Sequence, residues 1–312
     1  MLSRSAENLF WLSRYMERAE ATARLIEMGR RMAMLPSLGT QDDWLSVVRA
    51  SGSAAFLPEG ETANEASVID LLLLREDNPS SIRSSLSRAR ANAKSVRTAM
   101  TRQMWETLND GWRMLDGLDG AGAVRDLSAH LDWVATLTAT FRGAAEASML
   151  RDDRYDFLRL GGYVERADMT LRLLDVKYYV LLPETEVIGG GRDHHQWTSV
   201  LGALSGMRAF HHLYKGDFSP WKITDFVILN SAFPRSLAFS YQQIVEHLNN
   251  LAARYDAESP CARTAWDALM RISRIGAGEI FSTGLHEFVI NAISVNNRLS
   301  EEIAETYHFQ GH

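Results

Sequence analysis

From Ser3 to about Met34 the apolar positions Leu9, Leu12, Met16, Ala19, Ala23 and Ile26 step by three and four. That spacing lays them on one face of a single long helix, roughly 45 Å at about 1.5 Å per residue. Pro36 is expected to end it. Thr40-x-x-Asp43 reads as a capping box ahead of Trp44, Val47 and Val48. Asn78-Pro79 has the cap-then-proline form of a helix start, and Ile82, Leu86, Ala89, Ala93, Val96 and Met100 then repeat by four and three. Ser219-Pro220 and Ser259-Pro260 carry the same start signal. No segment alternates with period two between hairpin turns, so the pattern predicts an all-α protein. Residues 52–62, 116–122 and 183–195 are expected to be loops. The last holds Gly189-Gly190-Gly191, without the further glycines and following Lys-Ser/Thr of a phosphate loop, and reads as a connector.

The pattern also repeats over a long distance. YMERAEATARLIE at 15–27 and YVERADMTLRLLD at 163–175 agree at seven of thirteen positions, and Glu20/Asp168 and Glu27/Asp175 keep their charge. Trp44-x-Ser46-Val47 echoes Trp197-x-Ser199-Val200, Asp70 before Leu71 echoes Asp225 before Phe226, and Asn78-x4-Arg83-Ser84 echoes Asn230-x4-Arg235-Ser236. The matches fall in one order at offsets from 148 to 155. The expectation is an internally duplicated helical bundle with pseudo-two-fold related halves, a first unit at 1–150 and a second at 151–310, in one compact body. Residues 311–312 read as a tag scar.

Bulk composition narrows this only a little. Hydrophobic residues make up 46% of the 312-residue chain, which suits a globular protein with a sizeable core. No apolar run reaches about 18 residues, so no membrane span is expected. A single cysteine, Cys261, excludes an intrachain disulfide and fits a reducing cytoplasm. A formal charge of −6 argues against a general nucleic-acid binder.

The repeated stretch carries charge as well as core. Glu17, Glu20, Arg24 and Glu27 share a helix face, as do Glu165, Asp168, Arg172 and Asp175. Glu20–Arg24 and Asp168–Arg172 are favourable i,i+4 pairs, but exposed pairs add only about 0.3–0.5 kcal/mol each. So small a gain hardly accounts for the same polar positions in two diverged copies. One explanation is a partly buried ion network locking two helices together. The other is a site between them, with carboxylates as general bases or cation ligands and Arg18 and Arg166 gripping an anion. Glu17-x-x-Glu20 and Glu165-x-x-Asp168 have di-metal spacing but lack its histidines, so no metal is expected.

Arg83, Arg88, Arg90, Lys94, Arg97 and Arg102 form an acid-free run, with Arg83, Arg90, Lys94 and Arg97 on one face. It offers an anion or RNA surface, or else pairs with acidic helices of the same molecule. Only Arg83 has a counterpart, Arg235. The doublets His194-His195 and His211-His212 point their members about 100° apart and fit no zinc pattern. His286-Glu287 reads as a polar contact, and Cys261 has no evident activating base.

LSRSAENLFWLSRYMERAEATARLIE, NPSSIRSSLSRARANAKSVR, FLRLGGYVERADMTLRLLDVKYY, FPRSLAFS, GLHEF and TYHFQ together resemble the bacterial alpha-E family over essentially the whole chain. The resemblance implies an all-helical protein encoded beside, or fused to, a circularly permuted ATP-grasp protein, often with a transglutaminase-like protein. It implies a system that forms or modifies peptides through ATP-dependent amide bonds. It also implies a catalytic part for the motif acids Glu7, Glu17, Glu20, Glu165 and Asp168. Asp168 stands where a perfect repeat has Glu, and Glu7 has no clear counterpart. Two expectations follow: an accessory or scaffold component that holds a peptide or the ATP-grasp partner, with no cofactor of its own, or an enzyme using a motif glutamate as base. The candidate ligand-binding residues are Arg18, Arg24, Arg83, Arg166, Arg172 and Arg235. Binding of RNA or another anion by the arginine-rich helix is the weakest expectation.

Overall fold

A computed structural model describes residues 1–34, 40–58, 60, 62–179, 191–257 and 259–311. The expected end of the first helix at Pro36, the triglycine's first two residues and His312 lie outside the described residues. The chain is 80% helical, and no strand occurs among the described residues. The first part contains α1 (Ser3–Ala33), α2 (Thr40–Ala50), α3 (Glu65–Ile69), α4 (Ile82–Ser95), α5 (Arg102–Asp116), α6 (Gly120–Arg125) and α7 (Leu127–Ser148). The second contains α8 (Asp153–Tyr179), α9 (Gly191–Ala203), α10 (Met207–Tyr214), α11 (Pro220–Thr224), α12 (Leu237–Tyr255), α13 (Pro260–Arg274), α14 (Ala277–Thr283) and α15 (Leu285–Thr306). A π-helical turn extends α3 over Asp70–Leu74, and another extends α11 over Asp225–Leu229.

The two longest helices lie at the centre. α1 packs on α8; α4 and α7 flank α1; α12 and α15 flank α8; α2 and α9 each touch both. This explains why α1 departs from the one-sided pattern. Leu9, Leu12 and Ile26 are buried, but so are Glu7, Arg14, Glu17, Glu20 and Thr22 on its other faces. A helix enclosed all round must satisfy its polar groups internally.

Close approach of the centre helices needs Gly161. A Cβ there would collide with the backbone carbonyl of Phe10. Phe10 facing Gly161, Ser13 facing Gly162 and Glu17 meeting Arg166 advance together, so the helices run in the same sense where they touch.

Several expected boundaries move. Asn78-Pro79 forms a turn, not a helix start. Asn78 accepts from the Ser80 amide and donates to the Leu71 carbonyl, while Ser81 caps α4 through the Ser84 amide. α4 stops at Ser95, and a 3-10 turn at Arg97–Ala99 takes Arg97 off the helical face assigned to it. The expected loop at 116–122 already contains the start of α6, capped by Asp119. Part of 52–62 is the 3-10 turn Ala54–Phe56, and α9 starts at Gly191 inside the expected connector. Asp43 is buried within α2, and the Thr40 side chain lies outside the described residues. Ser219-Pro220 and Ser259-Pro260 do open helices, although only Ser259 makes a side-chain cap.

The Arg83/Arg235 correspondence is also out of register. Ser81 and Ser236 share a role: each caps its helix and donates to the carbonyl of the residue whose amide closes a π turn, Arg75 and Asn230. Thr22 binds the Ser80 carbonyl as Thr170 binds that of Arg235, both at 3.0 Å. Arg235 therefore stands just before its cap, where Ser80 stands in the first part, whereas Arg83 lies inside α4.

Candidate functional site

The charged rows of α1 and α8 face each other. Arg166 grips Glu17 with Nε at 2.8 Å and Nη2 at 2.9 Å, and Arg18 grips Glu165 with Nε at 2.5 Å and Nη2 at 3.1 Å. Each arginine follows one glutamate in sequence and binds the other, so the two Glu-Arg dipeptides exchange partners across the helix pair. Arg14 adds a bond to Glu165 at 2.8 Å and reaches Ser300 on α15. Arg142 on α7 bonds both Glu17 and Glu20, and Thr138 donates to Glu20 at 3.1 Å. The i,i+4 pairs form as expected, Arg24 with Glu20 and Arg172 with Asp168, each at 2.6 Å, and Arg235 joins Glu20.

These groups are buried: Glu17 is 4% exposed, Glu20 1% and Glu165 0%. Around Glu17 and Glu20 stand the guanidiniums of Arg24, Arg142, Arg166 and Arg235; around Glu165 and Asp168 stand those of Arg14, Arg18 and Arg172. Cations outnumber anions, and the excess is directed at helix ends. Arg24 donates to the carbonyl of Ala203, the last residue of α9, and Arg172 to that of Ala50, the last of α2. The C-terminal carbonyls of a helix carry partial negative charge and lack partners within it. Arg24 and Arg172 thus each tie a carboxylate on their own helix to the end of a helix in the other part of the molecule.

Burial alone would raise the pKa of Glu17, but Arg166 and Arg142 overcome it and hold the carboxyl at about 2. Glu165 sits at about 2 for the same reason, with Arg18 and Arg14 outweighing burial. Glu20 is also held down against burial, by Arg235, Arg142 and Arg24. Arg235 falls to about 10: burial lowers it, and the attraction of Glu20 and Glu17, opposed by Arg24 and Arg166, does not make up the difference. A carboxylate this acidic, with guanidinium hydrogens on both oxygens, is a weak proton acceptor and presents no open face to a cation. Arg18 and Arg166, expected to grip an anionic ligand, hold protein carboxylates instead. The arrangement is that of the ion network.

Glu7 lies away from this cluster. Its Oε2 accepts the Gln310 amide at 3.2 Å, while Phe309 packs on Phe10 and Phe157. The closing TYHFQ segment is thereby fastened to the starts of α1 and α8. Arg83 does not reach the network; its Nη2 binds the carbonyls of Leu115 and Leu118 at the end of α5. Its neighbours do not meet acidic helices: Arg90 binds Asn109, Arg97 lies over Trp105, and Arg88 over Tyr15. Among the described residues, only Arg102 of that run pairs with an acid, Glu106, on its own helix.

His195 contacts the Arg31 carbonyl and His286 contacts Asp175 at 2.7 Å, both polar contacts. Burial raises the pKa of Cys261, which fits an inert thiol. Among the described residues no cluster of His, Cys, Asp or Glu has the makings of a metal site.

Clefts also lie outside the network, two of them along α12. One, of about 480 Å³, is bounded by α12, α13, α14 and α15 and has a mainly apolar lining that includes Tyr241, Ile272, Phe288 and Val295. The other, of about 500 Å³, is polar and holds Asp156 against His247 Nδ1 at 3.0 Å, beside Arg159 and Arg254. Sequence reasoning missed the His247–Asp156 pair because its members are 91 positions apart. It also missed Arg142 and Ser300, which have no local signal; Arg14, four before Arg18, was legible as part of the stripe. Glu287 and Phe288 of the GLHEF segment line the apolar cleft, a placement that the sequence did not signal.

Fold and network define an all-helical protein closed by reciprocal glutamate–arginine pairs. Residues 1–308 match the alpha-E family, described as a predicted alpha-helical domain with a conserved ER motif, and the chain belongs to that family. Its two Glu-Arg dipeptides, Glu17-Arg18 and Glu165-Arg166, are the pairs that exchange partners. No curated protein and no solved structure matches the chain.

Proposed function

We propose that this protein is a helical accessory component of an ATP-dependent peptide- or amide-bond forming system. It holds a peptide for a circularly permuted ATP-grasp partner, in a cytoplasmic setting, alongside a transglutaminase-like protein. We take its body to be two related units, 1–150 and 151–310, descended from one duplicated ancestor. The observation that carries the accessory reading is the closure of the network: Glu17, Glu20 and Glu165, three of the acids nominated for catalysis beside Glu7 and Asp168, are buried and held by guanidinium bonds. Glu17 and Glu165, spent on holding α1 to α8, leave the chain to act through the surfaces that this lock positions.

The test is reconstitution. The ATP-grasp protein encoded beside this chain is assayed with and without it, following ATP consumption and product mass. The expected result is a stable complex and altered ligation, with no turnover by this chain alone. Absence of both complex and effect sinks the reading.

One observation favours an enzymatic alternative, but not through the motif acids. His247 has Nδ1 on Asp156 inside the polar cleft, the pairing that orients a histidine for proton transfer. Turnover by the isolated chain that His247→Gln abolishes, with its thermal melt unchanged, selects this alternative over the accessory reading.

A further inference from the structure

The apolar cleft bounded by α12, α13, α14 and α15 has charges of both signs in its lining. Its apolar lining includes Leu237 and Tyr241 on α12, Ile272 on α13, Ile275 after it, and Phe288 and Val295 on α15. The lining also holds Arg271 and Arg274, both from α13, and Glu279 from α14 with Glu287 from α15, so the two signs of charge come from different helices. All four are exposed, and none has an ion-pair partner among the described residues. The closure of α1 on α8 is the opposite case, with Glu17, Glu20, Glu165 and Asp168 each on a guanidinium.

Gly284 joins α14 to α15 at φ +103°, a conformation that favours glycine. The bend keeps Glu279, Thr283 and Glu287 beside the cleft.

We propose that this cleft binds a short zwitterionic peptide with a large apolar side chain. The side chain enters the apolar lining, the terminal carboxylate meets Arg271 and Arg274, and the terminal ammonium meets Glu279 and Glu287. A neutral apolar ligand leaves all four charges unused, and a simple anion is repelled by the glutamates. Arginine forks match a carboxylate through two parallel bonds, which makes the carboxylate end specific. The cleft's volume of about 480 Å³ falls in the usual range for small-ligand sites, about 300–1,000 Å³. The inference rests on the peptide-holding reading above for its biological use, and names the kind of peptide held.

The experiment is calorimetric titration of the full chain with leucyl-phenylalanine, its N-acetyl form, its C-terminal amide and the doubly capped form. The expected result is binding by the free dipeptide, weakened about tenfold or more by each cap, a loss of about 1.4 kcal/mol per cap. Arg271→Gln with Arg274→Gln removes the penalty of the C-terminal amide. Ala292→Trp, which fills the cleft, abolishes binding with an unchanged circular-dichroism melt. Equal binding of free and doubly capped dipeptides, no binding at all, or binding that survives Ala292→Trp overturns the inference. If the dipeptide binds but the ATP-grasp partner is neither bound nor affected, the accessory reading fails and the cleft stands. If the partner responds equally to the parent and to Ala292→Trp, the accessory reading stands and the cleft fails.

Discussion

Replacing Glu17 by glutamine tests the lock directly. The side chain keeps its shape, loses its charge and retains one acceptor oxygen. Glu17 is 4% exposed and accepts from Arg166 at 2.8 and 2.9 Å and from Arg142 at 3.2 Å. Without it, Glu20 alone faces Arg24, Arg142, Arg166 and Arg235. Removing one partner of a buried pair costs about 3–5 kcal/mol, because the other charge stays buried and unpaired. For a protein whose whole stability is about 5–15 kcal/mol, that is a large share. At roughly 2–4 °C per kcal/mol in large domains, the melting temperature falls on the order of 10 °C. Circular-dichroism melts and urea titrations of the parent, Glu17→Gln, Arg166→Gln and the double variant make a cycle. The double variant is expected to lose at least about 1 kcal/mol less than the two singles together, since each single strands a charge that the double removes. A Glu17→Gln melt within about 2 °C of the parent refutes the argument. If activity also vanished in that stable variant, the catalytic role would be restored.

Three further outcomes follow from the same geometry. Glu17 and Glu165 lie at about 2 in the folded state against an ordinary 4.5, so the unfolded chain binds their protons first. Their stabilisation is complete above pH 4.5 and drains as pH falls toward 2, by about 3 kcal/mol each, so urea midpoints measured down that range should drop steeply. Gly161→Ala pushes a methyl into the Phe10 carbonyl and is expected to cost about 1–3 kcal/mol or more, whereas Gly143→Ala on α7, where a Cβ meets nothing, gains up to about 1 kcal/mol; chemical denaturation of both variants compares them. Ser236→Ala removes the α12 cap and the bond to the Asn230 carbonyl, and should cost about 1–2 kcal/mol by the same measurement, with Ser81→Ala behaving alike.

Much of this protein was legible in one dimension because helices are local. The three-and-four spacing from Leu9 to Ile26 located α1, and the like pattern and matching charges at 163–175 located a second central helix, because side-chain direction along a helix depends only on sequence separation. The choice between two meanings of the charged rows was not legible. A carboxylate beside an arginine in sequence looks the same whether that arginine serves it, serves another carboxylate or waits for a ligand. Only the packing of α1 on α8 put Arg166 on Glu17 and Arg18 on Glu165, and turned Arg24 and Arg172 toward the ends of α9 and α2. The mispairing of Arg83 with Arg235 has the same origin. Motif letters aligned them, but the cap and carbonyl contacts of Ser81 and Ser236 fix the register, and these are three-dimensional.

The sequence by itself determined that the chain is helical, where its long helices run and which charges they carry, since those depend on neighbours within about one turn. Tertiary structure alone decided that the charges close on one another, that His247 meets Asp156 across 91 positions, and that an apolar cleft with unpaired rim charges opens among α12 to α15. Burial is a property of what packs against a residue, and it is burial that turns a surface ion pair into a lock.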